Sequence, residues 1–364
     1  MTRIADITGA IERHAPLSLQ EGFDNAGMQV GDPNAEATAA LLCLDATEEI
    51  VEEAAQRGAN LIIAHHPLIF HGLKHLTGST PVERTVAKAI ERGIAIYSAH
   101  TNMDSAEYGV STHAGAKIGL KNMRPLVPHT GKLVKIVTFA PVAHADTVRQ
   151  AMWQAGAGTI GNYDCCSYSM SGKGSFRALP GASPFVGQAG KLHTEPEERI
   201  EVIAPQWRKA AVVSAMLAAH PYEEPAYDII ALQNNSRTGL GVVGDIEPED
   251  ALSLIGRVKE IFQVGAVLYS GLTKPTQITR VAFCGGSAPE YTPQAIAAGA
   301  QIYFTADARY HDFTSHAASI ILASIGHYES EHFTKEIFYA IIHEKFPNFA
   351  AYYAEKEKNP INYL

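Results

Sequence analysis

The most constraining stretch of this chain is LIIAHHPLIF at residues 61–70, where an apolar run meets two adjacent histidines and a proline. A short apolar run of this kind reads as a buried strand. His65, His66 and Pro67 then stand at its C-terminal end, the position at which open α/β sheets hold their ligands. Neighbouring side chains on an extended chain point to opposite faces. The two histidines can therefore serve two different metal ions, or one of them can be structural. The rest of the chain has to supply whatever completes such a site.

Around this stretch the sequence alternates between helical and strand patterns. Residues 3–14 predict a helix that ends near Pro16. Residues 21–32, EGFDNAGMQVGD, read as a turn-rich stretch in which Asp24, Asn25, Gly27 and Gly31 suggest an ordered loop. A strand is expected within 37–46 with Asp45 near its end, followed by a helix over 47–57 that Thr47 caps and Gly58 stops. Another helix runs over 81–92, between Pro81 and Gly93. Residues 94–97 form the next strand. It runs into a second polar cluster that holds Ser98, His100, Thr101, Asn102 and Asp104, and a helix over 106–118 follows. Repeated strand–loop–helix units argue for a mainly parallel sheet covered by helices.

The rhythm changes near 125–131. LVKIVTFAP predicts a strand and AHADTVRQAMWQAG a helix. GTIGNYDCCSYSM and GKGSFRAL predict two strands joined near Gly172. RIEVIAP, WRKAAVVSAMLAAH and AYDIIAL give strand, helix and strand. The order βαβββαβ, or βαββαβ with one extra hairpin strand, suggests a small ferredoxin-like α+β domain inserted into the first. Insertion is tolerated at surface loops whose ends lie close together. The expected division is therefore 1–128 and 236–364 for a discontinuous core α/β domain with helix-covered mixed sheets, and 129–235 for the insert.

After the insert the α/β rhythm resumes. LGVVGDIEPEDALSLIGRV predicts a strand or turn and then a helix, and VGAVLYSG and ITRVAFCGG predict strands. A helix follows Pro289. QIYFTADARYHD is a strand with a polar tail containing Thr305, Asp307, Arg309, Tyr310, His311 and Asp312. A helix over about 314–319 precedes IILASIG, the last strand, which feeds GHYESEHF and a closing helix over about 330–344.

Composition narrows the class. A chain of 364 residues with 46% hydrophobic content can bury two cores. A net charge of -9 and the lack of a Lys/Arg block disfavour a general nucleic-acid binder. Four cysteines without a CxxC make no disulfide framework and suit a reducing compartment. The N-terminus lacks a signal-peptide apolar core, and no run reaches transmembrane length. A soluble, cytoplasmic protein without a membrane partner is the expectation.

Four strand-end clusters emerge: His65/His66, His100/Asp104, Asp307/Tyr310/His311 and His327/Glu331. The last pair is spaced i,i+4, so both side chains can reach toward one site from a helix. It is not HExxH, because Tyr328 follows His327. Imidazole and carboxylate ligands with one bridging carboxylate suit two divalent ions such as Zn, Mn or Fe. Water held by such ions has a lowered pKa and can act as a nucleophile.

HHPLIF, SAHTNMD and GHYESE, with FDNAGMQVG near the N-terminus, resemble the Ngg1-interacting-factor-three-like family, also described as GTP cyclohydrolase 1 type 2 homologues. The resemblance spans both outer segments. It implies a dinuclear metal centre, with His65, Asp104 and Glu331 on one ion and His66, His327 and Glu331 on the other. It further implies a toroidal homohexamer. GNYDCCSYSMSGKGSF and HPYEEPAYDI resemble the PII- or CutA-like domain of longer bacterial members. His100, Asp307, Tyr310 and His311 are the candidates for acid–base or ligand-orienting roles. The expected function is metal-dependent hydrolysis of a small-molecule substrate, such as a nucleotide or phosphoester. Zn is the expected ion and Mn or Fe the alternatives. The competing reading is a non-enzymatic metal-handling, scaffold or ligand-sensing hexamer. No P-loop accompanies the GTP cyclohydrolase label.

Overall fold

The computed structural model describes residues 1–271 and 276–364. Its contacts divide into two compact units. One comprises Met1–Pro128 with Arg237–Leu364, and the other His129–Ser236. The first unit is mixed α/β. Its N-terminal part contains α1 (Ile4–His14), β1 (Gly27–Val30), β2 (Ala40–Cys43), α2 (Glu48–Gln56), β3 (Leu61–Ala64), α3 (Pro81–Arg92), β4 (Ala95–Ser98), α4 (Thr101–Ser105), α5 (Val110–Ile118) and β5 (Lys121–Pro128). The second unit contains β6 (Leu133–Pro141), α6 (Ala145–Gln154), β7 (Tyr168–Arg177), β8 (Leu192–Pro205), α7 (Lys209–Ala219) and β9 (Tyr227–Leu232). The first unit then resumes with β10 (Gly239–Asp250), α8 (Ala251–Ile261), β11 (Leu268–Tyr269), β12 (Gln277–Ser287), α9 (Thr292–Ala297), β13 (Ile302–Ala306), α10 (Tyr310–His316), β14 (Ile321–Ser324), α11 (His327–Glu331), α12 (Thr334–Lys345) and β15 (Ala351–Tyr353).

Local chemistry sets many of these boundaries. Thr80 caps α3 by accepting from the Glu83 N–H, Pro81 occupies its first turn, and Gly93 ends it at φ 64°. Thr47 caps α2 in the same way through the Ile50 N–H. The first unit holds two sheets, in orders β1-β4-β3-β2-β15 and β11-β14-β13-β12-β10-β5. Strands β2, β3, β4 and β15 run parallel, with β1 antiparallel on the edge. In the other sheet β12, β13 and β14 are parallel, while β10 pairs antiparallel with β12 and β11 antiparallel with β14.

Strand alternation sorts the side chains into layers. Leu61, Ile63 and Tyr97 of one sheet share a core with Val281, Phe283, Ile302 and Phe304 of the other, and with Ile7, Val110, Leu254 and Phe338 from helices. On the outer side of the first sheet, Ile62 and Ile96 pack with Ile50, Val51, Val86 and Ala89. Tyr303 and Leu322 do the same beyond the second sheet. Each of these apolar side chains contributes about 1.5–3 kcal/mol by leaving water. Both faces of β3 are thus covered, which is why it reads as an unbroken apolar run.

Some expectations are corrected. The stretch 21–32 is not all loop, because β1 lies within it. The helix expected over 106–118 is present as α5 but starts only at Val110, and the polar cluster before it holds a further short helix, α4. Residues 121–128 form β5, whose Pro125 and Pro128 are tolerated because it is an edge strand. The expected hairpin at Gly172 is instead one continuous strand, β7, and 158–167 holds only an isolated bridge between Ile160 and Tyr163. The helix expected at 314–319 begins earlier, at Tyr310, and the closing helix is split into α11 and α12. Near the C-terminus Ala351–Tyr353 form β15 on the edge of the first sheet. The second unit spans His129–Ser236. Its antiparallel sheet has the order β7-β8-β6-β9, with α6 and α7 supplying Val148, Met152, Val212 and Met216 to its core. Among the described residues no helix is long and apolar enough to cross a membrane.

Candidate metal centre

Side chains that follow β3, β4 and β14 converge in the first unit. His65 is fully buried, and its Nδ1–H donates to the Ala99 carbonyl at 2.8 Å. That bond leaves Nε2 as the bare nitrogen. This Nε2 is buried and meets no hydrogen-bond partner among the described residues. It faces Asp104 Oδ1 at 3.7 Å and Glu331 Oε1 at 3.9 Å. Two ligands at roughly 2.1 Å from a tetrahedral ion stand about 3.4 Å apart. The spacing is therefore too wide for a hydrogen bond and suits an interposed cation.

The other oxygen of Glu331 faces the opposite way. Oε2 lies 3.0 Å from His66 Nε2 and 3.1 Å from His327 Nε2. Each of these imidazoles is anchored through Nδ1, His66 by Asp45 at 2.8 Å and His327 by Asp307 at 2.7 Å. His65/Asp104/Glu331 and His66/His327/Glu331 thus form two sets that share one carboxylate. Within each set the donor atoms lie within 4.8 Å of one another. An orphaned buried nitrogen, oriented imidazoles and a mixed N/O donor set fit divalent cations.

One glycine makes room for the shared carboxylate, and a second for the buried acid two residues before it. A Cβ on Gly286, whose φ is +66°, would lie 2.3 Å from Glu331 Oε1. A Cβ on Gly326, with φ +86°, would lie 2.2 Å from the carboxylate of the buried Glu329. Ser330 Oγ accepts from the Gly286 N–H at 3.0 Å and ties α11 to the end of β12.

The electrostatics follow from burial and pairing. Burial opposes ionisation of Glu331, yet the facing imidazoles outweigh it and hold the carboxyl below the usual range. Burial likewise disfavours the His66 cation, but Asp45 and Glu331 raise its pKa to about 10. The hydrogen bond to Glu331 is the main cause that lifts His327 to about 9. Burial pushes Asp104 up to about 7, with His65 opposing and Glu331 adding to the rise.

His100 stands beside these groups, its ring 5.3 Å from that of His65 and 5.5 Å from that of His66. Its Nδ1 is held by Asp24 at 2.8 Å. Asp24 also accepts from the Thr101 N–H at 3.0 Å and from the Thr101 hydroxyl. Burial raises the Asp24 pKa, but these bonds overcome it and hold the carboxyl at about 2. Asn25 donates to the Ile69 carbonyl at 2.6 Å, tying the β1 approach to the loop after His66.

Five ligand candidates, His65, His66, Asp104, His327 and Glu331, are thus brought together, with His100 adjacent. Asp307 is drawn in through His327. Tyr310, 75% exposed, and His311 stand at the start of α10 as ring neighbours, and among the described contacts they reach none of the five. Sequence reading left Asp45, the Ala99 carbonyl and Gly286 without a role. The position of Asp45 at the end of a strand beside β3 was the available signal for that residue. Nothing local marks the other two.

With the geometry in place, comparison with known proteins adds ancestry. The family model described as Duf34/NIF3 (NGG1p interacting factor 3) matches residues 2–360. A relative from Halalkalibacterium halodurans, named "GTP cyclohydrolase 1 type 2 homolog", is 40% identical over 303 residues, 82% of this chain and 81% of its own. A Bacillus subtilis protein of the same name is 34% identical over 97% of this chain and 96% of its own. The crystal structure of a Bacillus cereus protein related to NIF3 superposes with a TM-score of 0.88 at 34% identity, covering 100% of this chain and 99% of that one.

Proposed function

This chain belongs to the Duf34/NIF3 family, and from that premise we propose that it is a dinuclear divalent-metal protein that acts as a hydrolase on a small phosphoester or nucleotide. The observation that carries the reading is the divided carboxylate of Glu331, with Oε1 toward His65 and Oε2 toward His66 and His327. In this assignment His65, Asp104 and Glu331 hold one ion, and His66, His327 and Glu331 the other. Two such ions, Zn foremost and Mn or Fe as alternatives, supply Lewis acidity and activate water, which suits attack at phosphorus or an electrophilic carbon.

The chain's own groups have distinct parts. Asp45, Asp307 and the Ala99 carbonyl orient the three imidazoles by occupying Nδ1, so that each presents Nε2. His100, locked through Nδ1 by Asp24, keeps Nε2 for carrying a proton at the cleft. The relatives' name suggests GTP ring opening; phosphoester hydrolysis uses the same pair of ions at least as well. We further infer that the second unit is a ferredoxin-like insert, supported by its β-α-β-β-α-β order and its β7-β8-β6-β9 sheet. The family resemblance adds a cytoplasmic homohexamer to the proposal.

Elemental analysis of untagged protein, paired with hydrolysis assays on nucleotides and phosphoesters, tests the reading. Near two ions per chain with metal-dependent turnover supports it. Two ions without turnover moves the assignment to metal handling or ligand sensing, a reading favoured by the separate cavity in the second unit. No metal after reconstitution overturns both.

A further inference from the structure

The second unit carries a cavity of about 920 Å³, within the size range of small-molecule sites. Along β8, Ile200, Val202 and Ala204 pack into the helix-covered core. Alternation therefore turns Glu197 and Arg199 to the other, helix-free face. The segment after β7 lines the cavity over this face, and Phe139, Phe176, Phe185 and Tyr222 supply its aromatic wall. The Phe176 and Tyr222 rings lie 6.0 Å apart, and those of Phe185 and Tyr222 6.3 Å.

Glu197 is the unusual member. It is only 7% exposed, and its Oε1 accepts from the Tyr222 hydroxyl at 2.8 Å. A Cβ on Gly174 would lie 2.0 Å from its Oε2, so the glycine on β7 gives the carboxylate its seat. Among the described ion pairs no cation meets Glu197. Arg199 is committed to Glu201 at 2.8 Å and lies over the Phe139 ring at 5.6 Å. A buried carboxylate without a cationic partner is costly and attracts one. Lys173 and Arg177, which share the cavity wall, are exposed and screened by water, so the buried carboxylate decides the charge of what enters.

We propose that this cavity binds a planar amino-heteroaromatic or amidine-type molecule. Its N–H donors meet the carboxylate of Glu197, and its ring lies against Phe176, Phe185 and Tyr222. Adjacent N–H groups pair bidentately with a carboxylate, and aromatic faces favour a cationic ring. The inference does not depend on the metal centre.

Titration calorimetry on the full chain tests it, with benzamidine as the planar cationic probe and benzoate as the same ring with reversed charge. Saturable benzamidine binding is expected, with benzoate at least about tenfold weaker. Glu197→Gln should weaken benzamidine by about tenfold or more while melting temperature and metal content hold. Phe185 is 51% exposed, so Phe185→Ala leaves folding intact and should weaken benzamidine several-fold. Absence of saturable binding, as when another copy of the chain covers this face, overturns the proposal. So does equal binding of benzoate, or a folded Glu197→Gln protein that binds benzamidine unchanged. Should Glu197→Gln fail to fold, unchanged affinity in Phe185→Ala is the refuting result.

Discussion

Glu331 Oε2 lies 3.0 Å from His66 Nε2 across a sequence separation of 265 residues, while Oε1 of the same carboxylate faces His65 Nε2 at 3.9 Å. Two histidines adjacent in sequence thus approach opposite oxygens of one distant group. The alternation of an extended chain carries them to the two sides of a single carboxylate. Loss of that carboxylate should therefore be felt by both sets of ligands together.

Glu331→Gln is expected to empty both metal positions. The amide can supply one oxygen but no second anionic one, so elemental analysis should find well under one ion per chain where the parent is expected to hold two. Retention of two tightly bound ions in the variant would falsify the bridging assignment.

Asp307→Asn should affect one ion more than the other. The amide no longer fixes the His327 tautomer through Nδ1. Affinity at the His327 position is expected to fall roughly 10–100-fold, read by chelator competition, with the His65 position less disturbed. Equal weakening at both positions would count against separate orienting roles.

Metal uptake should release protons. In the metal-free chain His66 and His327 titrate at about 10 and 9, so both carry protons at neutral pH. With Asp104 at about 7 adding a fraction of a proton, calorimetry in buffers of different ionisation enthalpy should show about two to three protons released on loading, and apparent affinity should rise with pH. The same shifts set the stability of the metal-free form. Raised histidine pKa values stabilise fully below the ordinary value of about 6.5. That contribution fades as pH rises through about 9 and 10. Melting temperatures of chelated protein that stay level through that range would contradict the pairing.

Gly286→Ala is expected to cost about 1–3 kcal/mol from its left-handed backbone alone. The added Cβ also strikes Glu331 Oε1 at 2.3 Å. Denaturant titration should detect the loss of stability, accompanied by weaker metal binding. Phe283→Ala, a buried change in the shared core, should cost about 3–5 kcal/mol, so comparing metal retention in the two separates displacement of the carboxylate from simple destabilisation.

Removal of residues 130–235 should leave a folded, metal-binding core. Pro128 on β5 and Gly239 on β10 are partners on neighbouring strands, so the cut ends are already close and a short joining loop suffices. Loss of cooperative unfolding in the deletion variant would mean that the first unit depends on the second.

Much of the candidate site could be read from the chain because its candidate ligands sit where strand patterns end. The apolar run before His65, the polar cluster around His100 and the i,i+4 pair His327/Glu331 are local signals. The weaker elements were illegible for equally local reasons. β1 hides in a stretch of turn formers, and the prolines of β5 disguise an edge strand. Gly172 looks like a turn but lies inside β7, where pairing with β8 on one side leaves the other edge of the strand open.

The sequence by itself determined the kinds of elements and the kinds of chemistry: buried strands from apolar runs, helix ends from caps and glycines, and an N/O donor set in place of thiolates. The tertiary structure alone decided which strand ends meet. Sheet order, the crossover that places Asp45 beside His66, and the packing that brings α11 onto β12 depend on contacts between residues far apart in the chain. Those contacts form because each sheet must bury both faces, a requirement that no local periodicity encodes. The position of Glu331 between His65 and His66 is a consequence of that burial.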